Sequence, residues 1–593
     1  MTQVTRLFDL LPHYAEKYKI KDDVLAGKEN GIWTTYSIAQ YREMADYISY
    51  ALINAGIVRG DMVATIMPSR PEWNIIDMGI MQAGAIHVPI YPTISEADYK
   101  FILNHAEVKI VFISGKEIFR KIEHILPEIT SMKAVYAVKD TAGAEKFLDF
   151  IETGKNNSNP ELLKSIKASI NEHDLATVIY TSGTTGNPKG VMLTHSNLLS
   201  NVKAVVHIPP FGEEGKALSY LPLCHVYERM LNYMYQYLGI SVYYAESVAS
   251  IAENMRDVKP EILSTVPRLL EKIYDKIVAN GRKLTGIKKF LFFWALNLGL
   301  RYELDGANGW YYEAKLKLAN KLIFSKWRAA LGDKMQVIVS GGAALQPRLA
   351  RVFWAAQIPV LEGYGLTETS PVLSVNDFSP NGVSFGTVGK VLNGVEVMIA
   401  DDGEILAKGP NLMLGYYKEP ALTAEAIDTE GWFHTGDIGR VEPAGHLKIT
   451  GRKKEIFKTS LGKYISPEQL ENRFKESSFI DALIIIGENQ KYAAALVVPD
   501  FNHLKNWCAI KEIPYTTDSE MVELPRIKKR FQLEIDKYNK FFGATEQVKR
   551  IEILDKEWTV DSGELTASMK LRRSFIMQKY SDLINKIFNI SEE

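Results

Sequence analysis

Cysteine is nearly absent: Cys224 and Cys508 are the only two in 593 residues, and they stand far apart. That excludes a disulfide framework and a cysteine-based zinc site, and it fits a reducing cytosol in which both are ordinary packed thiols. No apolar run is long enough for a bilayer-spanning helix, which takes roughly 20 residues; the longest patch, 290–300, stops short. Neither sign of charge dominates. Seventy basic and 71 acidic residues leave a net charge of -1, which gives no global attraction to nucleic acid. The first twenty residues mix acids, bases and a proline where an export signal needs an unbroken apolar stretch, so a cytoplasmic protein is expected. What remains is an ordinary globular mixture, 46% hydrophobic and 24% charged, at a length that calls for several cores.

The most informative stretch is 175–197, LATVIYTSGTTGNPKGVMLTHSN. Its apolar start, 175–180, reads as a buried strand that runs into Thr181, Ser182, Gly183, Thr184, Thr185 and Gly186, with almost no side-chain bulk. Such a loop can turn successive N–H groups into one concavity, while its hydroxyls add donors for anionic oxygens. It reads as a phosphate cradle. Pro188 stiffens the exit, Lys189 adds a positive charge, and 190–194 predicts a second strand leading to a helix near Ser196 or Asn197. The Walker A spacing fails, because Pro188 stands where that pattern requires glycine.

Elsewhere the chain alternates. Strand patterns at 60–67, 85–93, 108–114 and 134–140, separated by amphipathic segments, predict a layered α/β sheet. His87 and Arg70 fall in this part and read as structural, since nothing around them supplies a chemical partner. The segment SYLPLCHVYER (219–229) precedes an aromatic, methionine-containing stretch with Tyr233 and Met234. A helix is predicted over 264–277, with Val266, Leu269, Leu270, Ile273 and Ile277 on one face and Pro267 in the first turn. Basic residues at 282–289 beside the rings of 290–294 can lie in a lipid interface or cap a helix of the protein itself, so a peripheral membrane contact through 282–300 stays open. So does a homodimer.

Residues 336–340, 347–354 and 360–361 predict strand, helix and strand, with small-residue loops at the strand ends, where open α/β sheets collect ligands. There Gly341, Gly342, Ala343, Gly363 and Gly365 let a flat purine approach the backbone, Tyr364 offers a stacking face, Thr367 a hydroxyl, and Glu368 a hard oxygen for Mg2+. Asp437, in GWFHTGD, can accept both hydroxyls of a ribose. A basic linker follows at 452–458, then a compact α/β region with strands predicted at 483–487 and 492–498.

The string YTSGTTGNPKGV resembles the signature loop of the adenylate-forming superfamily of acyl-CoA synthetases, luciferases and peptide-synthetase adenylation domains. YGLTET (364–369), GWFHTGD (431–437) and Lys570 follow in that family's order, and LPL-x-H-V-x-E-R at 221–229 is similar to long-chain fatty acyl-CoA synthetases. The resemblance implies an α/β fold with a large multi-layered N-terminal domain on mostly parallel sheets (1–450), a hinge (451–458) and a small mobile α/β C-terminal domain (459–593). It implies ATP, Mg2+ and coenzyme A, with a fatty acid as the acid. The six loop residues, Lys189, Gly342, Ala343, Gly363, Tyr364, Gly365, Thr367, Asp437 and Arg452 would contact the nucleotide, Glu368 and Thr184 the metal, and Gly341, His225, Tyr233 and Met234 the acyl chain. Lys454 matches the hinge position, with Lys453 the alternative. Lys458 matches a lysine that serves the thioester half-reaction, and Lys570 the adenylation lysine. Where many relatives carry Ser-Gly-Lys or Pro-Thr-Leu-Lys, this chain has Ala567-Ser568-Met569-Lys570. Medium-chain or aryl acids, and delivery to a carrier protein, remain alternatives.

Overall fold

The strand expected at 175–180 forms as Leu175–Thr181 and pairs antiparallel with Lys189–Thr194, Thr181 facing Lys189 across the phosphate loop. The structure, a computed structural model, describes residues 3–181, 187–460, 462, 464–559, 562–566 and 570–589. The loop residues Ser182, Gly183, Thr184, Thr185 and Gly186 lie outside the described residues, as do Ala567, Ser568 and Met569. The helix expected near 196 is His195–Val205, started by a reciprocal capping box between Thr194 and Asn197.

This hairpin belongs to an eight-stranded sheet in the order Gly415–Tyr416, Lys189–Thr194, Leu175–Thr181, Ile86–Ile90, Met62–Ile66, Ile110–Ile113, Ala134–Ala137, Glu145–Lys146. From Leu175–Thr181 to Glu145–Lys146 every pair is parallel. Met62–Ile66, Ile86–Ile90 and Ile110–Ile113 are buried at every position, as strands with both faces covered must be. The β-branched and apolar runs visible in sequence are thus central strands, not edges.

A nine-stranded sheet carries the second set of loops. Its parallel core runs Val360–Gly365, Val337–Ser340, Ile262–Thr265, Lys216–Ser219, Ser241–Tyr244 and Leu25–Glu29. The helix predicted over 264–277 begins only at Pro267, because Ser264 and Thr265 are spent on the strand before it; it then runs to Arg282. The strand predicted at 360–361 continues through Gly363, Tyr364 and Gly365, since these residues still pair with Val372–Val375 through a bulge.

Four further strands, Glu396–Ile399, Glu404–Lys408, Phe433–Val441 and Leu447–Arg452, form one sheet in that order. The chain divides within them into two units: Ile399–Ile405, Thr435–Glu442 and Lys448–Glu593 make up the second, and the rest the first. The second unit has its own core. Ile480–Ile486 and Ala493–Pro499 pair antiparallel, as expected from the turn at 488–491, and Val548–Ile553 adds a parallel third strand. Ala493–Pro499 is buried throughout, under helices such as Phe501–Ile510, which Asp500 caps by accepting from the His503 N–H.

Candidate active site

In the first unit, the hairpin of Leu175–Thr181 and Lys189–Thr194 and the YGLTET segment meet through a residue to which sequence gave no role of its own. The short strand Gly415–Tyr416 pairs with Lys189–Thr194, setting Tyr416 beside Val191. From there the Lys189 ammonium lies 5.0 Å from the Tyr416 ring centroid, and the Tyr416 hydroxyl donates to Glu368 Oε1 at 2.9 Å. The Met413 N–H donates to the Glu368 carbonyl at 2.9 Å, fixing the turn that bears it. Burial, together with the Glu368 carboxylate, pushes the Tyr416 phenol far up, so it stays a donor. Tyr416 therefore joins a cation, Lys189, to a carboxylate, Glu368. Tyr416→Phe is expected to raise the KM for the metal-nucleotide by about fivefold, the worth of about one hydrogen bond, with little change in melting temperature; steady-state kinetics at varied ATP checks it.

Among the described residues no group of three or more His, Cys, Asp or Glu side chains could hold a metal alone. One carboxylate held through one oxygen still suits Mg2+, which is commonly bound by one or two carboxylates plus substrate phosphates. Glu368 fits that description. Thr184, its expected companion, lies outside the described residues.

The glycines of the adenine segment divide into two kinds. A Cβ on Gly341 would come within 3.2 Å of the Tyr227 ring, whose hydroxyl donates to the Val339 carbonyl at 3.0 Å, and Gly342 has a positive φ of 81°. Gly365 differs, because a Cβ there would sit 1.8 Å from the Pro371 carbonyl oxygen. At that position the close approach is to the chain's own backbone. Glu362, just before, is buried; desolvation pushes its carboxyl up to about 8, although the Leu345 and Gly386 amides donate to it. Tyr364 and Thr367 are half-buried at the end of this strand and in the turn after it.

His225 caps the Val226–Leu238 helix, its Nδ1 accepting from the Tyr227 N–H at 3.2 Å, with its ring edge-on to Tyr91. Cys224 beside it is fully buried and its thiol is pushed up, so it is no nucleophile. Tyr233 and Met234 are buried as well, and the Tyr233 hydroxyl is committed to protein partners, donating to Asp77 Oδ2 at 2.5 Å and accepting from Arg229 Nε at 2.7 Å.

That pairing exposes a buried network. Asp77 Oδ1 also accepts from Arg229 at 2.5 Å and from His87 Nδ1 at 2.6 Å, and Arg229 donates to Thr177 Oγ1 at 2.7 Å, four residues before the phosphate loop. The reading of His87 as lacking a chemical partner is therefore corrected: Asp77 holds one ring nitrogen and Thr65 the other, at 2.8 Å. Arg70 likewise pairs with Glu72 at 2.8 Å. Burial pushes His87 down to about 4 while Arg229 holds Asp77 below its usual range against desolvation. Glu228, the neighbour of Arg229, turns to the other sheet and accepts from Ser219 at 2.5 Å and Ser264 at 2.6 Å; burial raises its carboxyl to about 7. Adjacent Glu and Arg thus pin one helix between the eight-stranded and the nine-stranded sheet.

In the second unit Asp437 is buried and bonded to Arg452 Nε at 2.8 Å, within the strand Phe433–Val441, where the Gly436 N–H donates to Glu404 at 2.9 Å. Lys453 is clamped by Asp402 at 2.6 Å and Glu404 at 2.7 Å. Lys454 is exposed and makes no ion pair among the described residues. Lys458 is exposed, its ammonium 5.5 Å from the Tyr464 ring centroid. Lys570 is exposed at a loop closed by two bonds with Thr566, at 2.8 and 3.0 Å, next to the Leu565–Leu571 bridge.

The chain belongs to the AMP-binding enzyme family: the AMP-binding enzyme model matches residues 11–417 and the AMP-binding enzyme C-terminal domain model residues 454–592. Among curated relatives, the long-chain-fatty-acid–CoA ligase FadD15 of Mycobacterium bovis is 31% identical over 94% of this chain and 93% of its own length. The peroxisomal long chain acyl-CoA synthetase 7 of Arabidopsis thaliana is 31% identical over 99% of this chain and 87% of its own. Among solved structures, the A domain of a carboxylic acid reductase from Segniliparus rugosus shares the fold with a TM-score of 0.75 at 18% identity, over 99% of this chain and 95% of that one.

Proposed function

We propose that the protein activates a long-chain fatty acid with ATP to an acyl-AMP, releasing pyrophosphate, and then passes the acyl group to coenzyme A. The observation that carries the reading is the contact of Tyr416 with both Lys189 and Glu368, a cation and a carboxylate of the kind that a metal-bound polyphosphate requires. The preference for long chains is supported by the names of the relatives and by the 221–229 segment.

A carboxylate is a poor electrophile and oxide a very poor leaving group, so activation must replace the oxide. One carboxylate oxygen attacks the α-phosphorus of ATP, the bond to pyrophosphate breaks, and a mixed anhydride results. Catalysis of such a transfer is mostly positioning and charge stabilisation. Lys189 and the loop donors hold the phosphates, Glu368 holds Mg2+ when it is bound, which neutralises developing charge, and Lys570 stabilises the charge at the reacting phosphate. No side-chain nucleophile is required, in keeping with the buried, protonated Cys224. Coenzyme A then attacks the acyl carbonyl and AMP leaves. Lys570 belongs to the first step and Lys458 to the second, and torsion changes at Lys454 exchange them; the clamping of Lys453 supports Lys454 as the position free to turn.

Acid-dependent ATP–pyrophosphate exchange without coenzyme A tests the proposal, and no exchange with any carboxylate would end it. Asp437→Ala is expected to weaken ATP binding at least about tenfold in titration calorimetry, because a charged partner of the ribose is worth about 1.5–3 kcal/mol. Unchanged affinity would remove the ribose assignment.

A further inference from the structure

Three residues after Lys570 stands an arginine tied to three elements of the second unit. Arg573 opens the helix Arg573–Lys579, and only 21% of its side chain is exposed. Its Nη2 donates to Glu471 Oε1 at 2.7 Å and its Nη1 to the Ile485 carbonyl at 3.1 Å, while Nε lies 3.5 Å from Glu455 Oε2. Glu471 stands on the helix Pro467–Phe474, and the same oxygen accepts from the Ile485 N–H, on the strand Ile480–Ile486, at 2.8 Å. Helix, strand and guanidinium thus share one buried carboxylate.

The contacts that close the loop before it are of another kind. Thr566 bonds with Lys570, the Arg572 N–H donates to the Glu564 carbonyl at 2.7 Å, and Leu565 bridges Leu571, all within 564–572. These contacts give the loop its shape but not its place on the unit. Ile576 buries the following helix in the core, but apolar burial is non-directional, whereas a forked guanidinium on a carboxylate fixes an angle as well as a distance. From Arg573 back to Lys570 the chain spans at most about 11 Å, so a shift of the fork moves the lysine.

We propose that Arg573 is a positioning residue for acyl-AMP formation: its fork on Glu471 and the Ile485 carbonyl aims the loop that carries Lys570. Arg573 has this role only if Lys570 serves the first half-reaction, as assigned above. Arg573→Lys keeps a charge beside Glu471 but loses the planar fork, and so separates aim from charge.

The test compares the two half-reactions in the full-length protein carrying Arg573→Lys, Lys570→Ala or both. Arg573→Lys is expected to lower the kcat of acid-dependent pyrophosphate exchange at least about tenfold, since a displacement of about 1 Å can cost about a hundredfold. The KM for ATP should stay within about twofold, and thioester formation from pre-made acyl-AMP within about threefold, because neither depends on where Lys570 points. In the Lys570→Ala background the same change should cost exchange nothing further, since there is no side chain left to aim. Glu471→Gln, which keeps an acceptor but drops the charge, is expected to give the same split with a smaller loss; it carries the test alone if Arg573→Lys does not fold. Exchange at the wild-type level in these variants, equal loss of both half-reactions, or a loss that adds to that of Lys570→Ala would overturn the proposal. Intact exchange in Lys570→Ala itself removes the lysine's assignment instead; lost exchange there with intact exchange in Arg573→Lys removes the positioning role alone.

Discussion

Lys570→Ala is expected to lower acid-dependent pyrophosphate exchange by at least about a hundredfold, while thioester formation from pre-made acyl-AMP and coenzyme A stays within about threefold of wild type. The size follows from what one well-placed donor to a developing oxyanion contributes in a water-poor site, about 2.7–4 kcal/mol. The asymmetry follows from the chemistry: in the second step the phosphate is already esterified, and the bond being made is between sulfur and carbon. Lys570 is exposed and its loop is held by the Thr566 backbone and hydroxyl, so truncating the side chain leaves the fold intact. Circular dichroism should show no change. Lys458→Ala is expected to show the opposite split, sparing exchange and slowing thioester formation. Equal loss of both half-reactions in the Lys570 variant would contradict the assigned role.

The second large effect concerns stability. Arg229→Met leaves Asp77 charged at 0% exposure with its cation gone, and breaking a buried pair from one side costs about 3–5 kcal/mol. The midpoint in urea should fall accordingly, and expression with it. Asp77→Leu combined with Arg229→Met removes both charges and should recover much of the loss, because an apolar replacement of a buried pair is often neutral. If the double variant is no more stable than the single one, the pair is not the source of the cost. The network also sets a pH dependence. His87 is depressed from 6.5 to about 4 by burial, and so is His195, so the unfolded chain binds protons that the folded one refuses. Stability from these groups is complete above pH 6.5 and declines as the pH falls from there toward 4. Urea titrations between pH 7 and 4 check the sign, and His87→Gln should flatten the slope.

The phosphate hairpin was legible in sequence because its signals are local: a β-branched run, a cluster of Gly and Thr, a proline at the exit and a capping box within 23 residues. The strand, helix and strand around Gly341 and Gly363 were legible for the same reason. What escaped was long-range pairing. Tyr416 reaches Glu368 across 48 positions, and Arg229 reaches Asp77 across 152, and no local period marks either partner. His87 was misjudged because Asp77 lies ten residues away on the helix before its strand, where only the fold turns it inward. At Gly365 sequence does not show that Pro371 packs against its backbone.

The central claim is that a metal-nucleotide held between Lys189 and Glu368 activates a long hydrocarbon acid. Its most direct test is AMP release with ATP, Mg2+ and coenzyme A across straight-chain acids from acetate to twenty carbons, with benzoate alongside. The account predicts kcat/KM rising with chain length to a maximum at long chains, at least about a hundredfold above acetate, since each buried methylene contributes about 0.8 kcal/mol. A maximum at acetate or benzoate would contradict it.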